Sequence, residues 1–176
     1  MKNPTLLKEM LHYRGRDEMP DDFDTFWNKQ VAEVEVPQDY QLLEKDFQIA
    51  YATCYELTFK SGNGGQIYAK LVVPKLSEKV PVLFHFHGYM GQGWDWSDML
   101  AYTAAGWGVV SMDVRGQSGY SMDGDREARG NTVKGHIIRG ALDGPDQLFF
   151  KDVYLDVYTL VELVADLDFV DENRLS

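Results

Sequence analysis

Residues 80–117, VPVLFHFHGYMGQGWDWSDMLAYTAAGWGVVSMDVRGQ, decide the fold. The stretch opens with an apolar run, Val80 to Phe86, rich in β-branched and aromatic residues. Such a run, bounded by turn residues, reads as a strand buried on both faces. His87-Gly88-Tyr89 ends it in a tight, glycine-bearing turn. Ser97 to Ala105 has helical character, with Ser97 as its N-cap and Gly106 as its stop. Trp107 to Met112 is a second apolar run, and Asp113-Val114-Arg115-Gly116-Gln117 is the loop after it. The whole is one β-turn-α-β unit, from which parallel sheets are built. In open α/β sheets, ligands sit beyond the carboxyl ends of the strands. Both loops leaving those ends, 87–95 and 113–124, carry polar and aromatic residues, so a site is expected there.

Upstream, Gln48 to Phe59 and Gln66 to Val73 are β-rich runs separated by Ser61-Gly62-Asn63-Gly64-Gly65, which predicts an antiparallel hairpin. The expected sheet is therefore mostly parallel with antiparallel N-terminal strands. Further upstream, Phe23, Phe26, Trp27, Val31 and Val34 form one apolar stripe on a helix of about three turns. It starts at Asp21-Asp22 and Pro37 ends it. Leu6, Leu7, Met10 and Leu11 also fall at helical spacing. Residues 1–45 thus read as a helical segment and 46–176 as a partial sheet with flanking helices, all in one domain. Downstream, Ser118 to Gly135 is a long polar segment, and such loops are functional or disordered. Periodicity assigns no element to His136–Phe150. Val153, Val157, Leu160, Val161, Val164 and Leu167 predict a strong helix from Lys151 onward. Asp168 to Arg174 reads as a turn, and Leu175-Ser176 as the start of a strand.

The chain has 176 residues, 44% of them hydrophobic and 13% aromatic, which fits one globular domain with a sizeable core. Its net charge of −11 disfavours nucleic acid and anionic membranes as partners, since both need a basic face. Cys54 is the single cysteine, which excludes an internal disulfide and argues against a cysteine-based zinc site. The N-terminus lacks the apolar core of a secretory signal, and no run is long and apolar enough to span a membrane. A cytoplasmic protein is the expectation.

HFHGY, the DVRGQ loop, the helix DVYLDVYTLVELVADLDFVDENRLS, the N-terminal PDDFDTFWNKQVAEV and the segment GHIIRGALDG occur in this order. Together they resemble the acetyl xylan esterase / cephalosporin C deacetylase family of α/β-hydrolases over nearly the whole length. The resemblance implies deacetylation of small acetylated sugars or related acetyl esters by a Ser-His-Asp triad, without a cofactor. In that family the serine sits in a G-x-S-x-G elbow just after a motif resembling DENRLS. None of Ser61, Ser77, Ser97, Ser111, Ser118, Ser121 and Ser176 has glycine at both −2 and +2. Gly116-Gln117-Ser118-Gly119 comes nearest, but its second glycine is one position early and no strand-to-helix elbow holds it. The chain thus resembles the N-terminal half of such an enzyme, truncated before the nucleophile elbow. By itself it is expected to be catalytically silent, because acyl transfer needs nucleophile, base and oxyanion donors together.

By the same resemblance, Tyr89 follows the strand as the oxyanion-loop residue, its backbone N–H donating to the tetrahedral intermediate. Otherwise it is an aromatic covering a turn. His87 and Gly88 shape that loop, His87 as a brace rather than a catalyst. Two imidazoles, His85 and His87, share a strand face, but without a third ligand they argue against a metal. Arg115, Gly116 and Gln117 form the RGQ loop, either organising the site's floor or pinning a loop by ion pairing. Asp113 reads as a turn residue. Trp94 and Trp96 offer sugar-stacking faces, though one of them is expected in a core or interface. Three functions compete: half of an acetyl esterase, a non-catalytic module that pairs with a complementary C-terminal chain or with itself, and another α/β-hydrolase activity such as a peptidase. The pairing argument is that a sheet interrupted after its central strands exposes an apolar edge. The resemblance further implies homo-oligomers.

Overall fold

The computed structural model describes residues 4–124 and 136–176. They form two compact units, 1–33 and 34–176. The first holds helices α1 (Pro4–His12) and α2 (Phe23–Ala32). No residue of α1 is buried. In α2, Trp27 packs edge-on against Phe23 and Phe26, at 6.4 and 5.5 Å between ring centroids.

The second unit is a six-stranded sheet in the order β1-β2-β3-β5-β4-β6. Its strands are β1 (Gln41–Lys45), β2 (Ala52–Lys60), β3 (Gln66–Pro74), β4 (Val80–Phe86), β5 (Gly108–Asp113) and β6 (Val170–Leu175). β1, β2 and β3 form an antiparallel meander, and β3 joins β5 antiparallel. β5 and β6 both run parallel to β4. The α/β architecture with antiparallel N-terminal strands is as expected, but the described sheet is mixed rather than mostly parallel, since three of its five pairings are antiparallel. Helices cover both faces. The apolar stripe of α4 (Phe149–Ala165) buries Leu160, Leu163 and Val164 on one face against Leu71, Val82, Val110 and Met112. On the other face α3 (Trp96–Thr103) sets Met99 against Cys54, Val72 and Val109. Side chains alternate across a strand, so Val109 and Val110 serve different cores.

Several expectations change. Residues 41–45 are a strand within a segment expected to be helical. Their good helix formers yield to pairing along the whole edge of β2. Gln48 takes φ +55° with its N–H on the Asp46 carboxylate, so the β-rich run breaks and β2 starts at Ala52. α2 ends at Ala32, before Val34 and Pro37. α3 begins at Trp96 with Asp95, not Ser97, at the N-cap position. The expected turn at 168–174 holds a strand instead. Asp171-Glu172-Asn173-Arg174 looks too polar for a sheet, yet β6 lies at its edge, where those side chains are mostly exposed. That charge also replaces the apolar edge expected there, since charged side chains blunt strand addition. β4 is only partly buried towards its C-terminus, because β6 pairs with it in a short, irregular register. β5 is the strand buried along its entire length. The Asp125-Arg126-Glu127 run, most of the 118–135 segment and the start of GHIIRGALDG lie outside the described residues. Within that polar segment, the Asp123 side chain is buried. No described helix is long and apolar enough to cross a membrane.

Candidate active site

β4 and β5 are parallel neighbours with Phe86 opposite Met112. The loops after them must therefore leave the same sheet edge side by side. This register, rather than anything local, brings His87–Gly91 onto Val114–Ser118.

His87 joins the two loops. Its Nε2 accepts the Val114 N–H at 2.9 Å, while Nδ1 lies 2.8 Å from the Gly88 carbonyl. A backbone N–H can only donate and a carbonyl can only accept, so Nδ1 carries the proton and Nε2 is bare. Both nitrogens are committed, so the ring braces the turn and has none left for proton transfer. The Gly88 carbonyl also accepts the Gly91 N–H at 2.9 Å. A Cβ on Gly91 would lie 2.9 Å from that oxygen and 3.0 Å from Nδ1, so the turn needs glycine there.

Met90 is the strained residue of the turn. It has φ +60°, a left-handed conformation unfavourable for a side chain of its size. Two side chains of the facing loop hold it. Gln117 Oε1 accepts the Met90 N–H at 2.8 Å, and Ser118 Oγ donates to the Met90 carbonyl at 3.0 Å. Gln117 is buried and its amide reaches back to the Gly116 carbonyl at 3.3 Å. Gly116 has φ +61°, the conformation that turns Gln117 under the loop. Tyr89, at the apex, is 46% exposed.

Arg115 points away from this loop into the protein and is 1% exposed. It binds Asp156 through two hydrogen bonds of 2.6 Å and donates to the Gly62 carbonyl at 2.9 Å. Its third nitrogen, Nη1, has no hydrogen bond but sits 3.7 Å from both Asp123 and Asp152. Burial alone would lower the guanidinium's pKa; the Asp156 hydrogen bonds and the surrounding carboxylates reverse that and raise it. Burial pushes the Asp156 carboxyl up, against the pull of Arg115. Asp156 is fully buried on α4. Gly65 makes room, since a Cβ there would lie 2.6 Å from the guanidinium carbon. Arg115 thus ties the RGQ loop to α4 and to the β2–β3 turn.

Asp113 is equally occupied. It accepts the Gly93 N–H at 2.7 Å and the Tyr120 N–H at 2.8 Å. Ser111 Oγ lies 2.9 Å from His85 Nδ1, which has the look of a nucleophile and its base. It is no working pair. Ser111 is 1% exposed, its oxygen takes the Trp94 N–H at 2.8 Å, and the Trp94 ring stacks on His85 at 3.9 Å. Trp94 also stacks on Tyr102 at 5.5 Å, and Trp96 meets Phe47 edge-on at 5.3 Å. Both tryptophans pack against the α3-side core. Neither lines the cavity beside Tyr89.

That cavity, of about 240 Å³, is bounded by Phe86, His87, Gly88, Tyr89, Val114 and Gln117 on one side and by Ile137, Phe149, Phe150, Val153, Tyr154 and Val157 on the other. It is mainly apolar, and its wall from α4 carried no signal in the sequence beyond helical periodicity. Asp152 and Asp156 were likewise not singled out as site residues, and Ser118 only as a near miss for an elbow, because only the fold sets them opposite Arg115 and Met90. Among the described residues no three His, Cys, Asp or Glu side chains could hold a metal.

The family described as acetyl xylan esterase (AXE1) matches over residues 1–176. Among solved structures, acetyl xylan esterase 1 from Thermoanaerobacterium sp. JW/SL YS485 is 42% identical with a TM-score of 0.86, over 96% of this chain and 53% of that one. The acetyl xylan esterase from Paenibacillus sp. R4 is 24% identical with a TM-score of 0.80, over 96% of this chain and 54% of that one, and shares the fold. This chain therefore spans about half the length of either structure. On the family match over all 176 residues and the agreement in fold, the chain belongs to the acetyl xylan esterase family of α/β-hydrolases.

Proposed function

We propose that this chain supplies the oxyanion loop and the acyl-side wall of a serine-dependent acetyl esterase acting on small acetylated sugars. The observation that carries the reading is the clamped turn at Met90, set against an apolar cavity at the carboxyl ends of β4 and β5. In this reading the Tyr89 N–H donates to the oxyanion, and a preorganised donor of this kind contributes about 3–4 kcal/mol. The acetyl methyl group enters the cavity, and His87 and Gln117 keep the loop from relaxing between turnovers. Arg115 holds the loop's floor to α4 and touches no substrate. The nucleophile, its histidine and its acid come from residues outside these 176.

Strand register supports where they would enter. Leu175 pairs with Val82, and the Ser176 carbonyl accepts the Phe84 N–H at 2.8 Å. A strand continuing β6 in this parallel register at about 3.3 Å per residue reaches the level of Gly88 within roughly six residues. The partner this reading requires is the nucleophile half, in the same polypeptide or in a separate one, and a cytoplasmic setting suits it. The half-exposed Phe86, Phe150 and Tyr154 around the cavity are the surface such a partner would cover.

The test is hydrolysis of p-nitrophenyl acetate by the pure chain, with intact-mass analysis of the sample, and then with a polypeptide carrying the nucleophile half. The chain alone is expected to be silent and the mixture active. Tyr89→Pro, which removes the donor, should lower kcat of the mixture by about 10²–10³-fold. Activity of the chain alone above a mock purification overturns the proposal. So does a mixture whose rate ignores Tyr89→Pro.

A further inference from the structure

On the α3 side of the sheet, beyond the end of that helix, two cavities of about 440 and 510 Å³ share the wall made by Glu56, Tyr68 and Tyr120. They form one groove over β2 and β3, within the size range of small-molecule sites. None of its residues lines the cavity beside Tyr89. Nothing in the esterase reading uses it.

The groove's floor is polar and held in place. Lys70 is 8% exposed; its Nζ donates to the Trp94 carbonyl at 2.8 Å, lies 3.7 Å from Asp95 and sits 5.8 Å from the centre of the Trp96 ring. Glu56 takes the Tyr68 hydroxyl at 3.1 Å on one oxygen and Lys45 at 3.2 Å on the other. Burial, and then the Glu56 charge, hold the Tyr68 hydroxyl protonated well above its usual range. Carboxylate oxygens, the phenol oxygen and the ammonium group each have further hydrogen-bonding capacity. Above this floor stand aromatic faces. Tyr120 is 74% exposed, yet its backbone N–H is fixed to Asp113 at 2.8 Å and its ring packs on Tyr68 at 5.0 Å. Trp96 forms the opposite rim.

The charges decide the ligand's class. Asp39, Glu56, Asp95 and Asp113 disfavour an anion, with Lys60 and Lys70 the cations of the lining. Lys45 and Lys70 pair with Glu56 and Asp95, two backbone N–H groups occupy Asp113, and among the described residues no three acidic or imidazole groups gather to hold a cation. What remains is a neutral ligand with many hydroxyls and a flat apolar face. Fixed aromatic rings beside paired donors and acceptors match the two sides of a pyranose ring. We propose that this groove is a second, non-catalytic binding site for a neutral oligosaccharide. The inference stands apart from the esterase reading and needs no nucleophile.

The probe is xylotetraose, which carries no ester, titrated into the 176-residue chain and followed by the indole N–H signals of its four tryptophans in ¹⁵N-labelled protein. Saturable binding with Kd on the order of 1 mM is expected, with the Trp96 signal moving most. Tyr120→Ala and Glu56→Gln should each weaken binding by about tenfold while the circular-dichroism spectrum and Tm stay unchanged; Glu56→Gln keeps the shape of the floor should Tyr120→Ala perturb its loop. Tyr154→Ala, in the cavity beside Tyr89, should leave binding as it was. Absence of saturation up to about 20 mM overturns the proposal. Binding lost in Tyr154→Ala but kept in Tyr120→Ala also overturns it, placing the sugar at the Tyr89 cavity.

Discussion

At the scale of single residues, two positions carry most of the organisation of the candidate site. Met90 occupies a left-handed conformation, which raises its energy by about 1–2 kcal/mol, and Gln117 and Ser118 impose it. Glycine adopts that conformation freely but loses more entropy on folding. Met90→Gly should therefore change the unfolding free energy by less than about 1 kcal/mol, whereas the β-branched Met90→Val should lose about 2 kcal/mol or more. Urea denaturation of the two variants checks the contrast. The second is Arg115, with Asp156 as its partner. Both are buried, and their paired hydrogen bonds leave neither charge uncompensated. Asp156→Ala strands a buried guanidinium between two more distant carboxylates and should destabilise by about 3–5 kcal/mol. Replacing both residues by apolar ones of similar volume should recover much of that loss, and the double-mutant cycle separates pairing from packing. The sequence displayed Arg115 in a recognisable loop but left open whether it organised a floor or pinned a loop. The structure shows a pinning contact, made with a carboxylate 41 positions away.

At the scale of elements, α4 is the piece on which the larger core depends. Leu160 is fully buried and packs with Leu163 and Val164 against the sheet. Leu160→Ala should cost about 2–5 kcal/mol, the transfer loss plus the cavity left behind, read as a lower denaturation midpoint with unchanged m-value. This helix was legible from its 3.6-residue periodicity, as were β2, β3, β4, β5 and α3 from apolar runs and punctuating glycines. β1 and β6 were not. Both are edge strands whose exposed residues are mostly polar, so neither alternation nor an apolar run marks them. Their identity as strands comes from the neighbour that pairs with them.

At the scale of the whole molecule, acidification acts in two opposing ways. The net charge of −11 repels itself in the compact state, and protonation relieves this. His85 works the other way. Burial, and then the charge of His87, lower its pKa in the folded protein. Below about pH 6.5 the unfolded chain takes a proton on this imidazole that the folded chain still refuses. Its contribution to stability is present above that pH and is lost as pH falls through the depressed folded value. His85→Gln should therefore flatten the fall in stability between pH 7.5 and 5.5 relative to the parent. Chemical denaturation of both proteins across that window tests it; an unchanged slope would show that His85 titrates as in the unfolded chain. Cys54, buried with its thiol pKa pushed up by burial, should react with iodoacetamide only after unfolding, which gives an independent measure of global opening.

Sequence alone was enough for the β-α-β unit, the antiparallel strands before it, the α4 stripe and the two loops at the carboxyl ends of β4 and β5. These follow from local physics, since period, propensity and turn chemistry act over a few residues. It also set Tyr89, His87 and the RGQ loop in the two loops that the structure brings side by side. Only the tertiary structure decided what those side chains do. Strand order placed His87 under Val114 and Gln117 under Met90; helix packing delivered Asp156 to Arg115; and the α3-side core drew Trp94 and Trp96 away from the cavity beside Tyr89. Each of these contacts joins residues at least 17 positions apart, or sets them against a core assembled from several strands. A hydrogen bond across such a span exists because the sheet register fixes both ends, and register is a property of the pairing, not of either strand by itself.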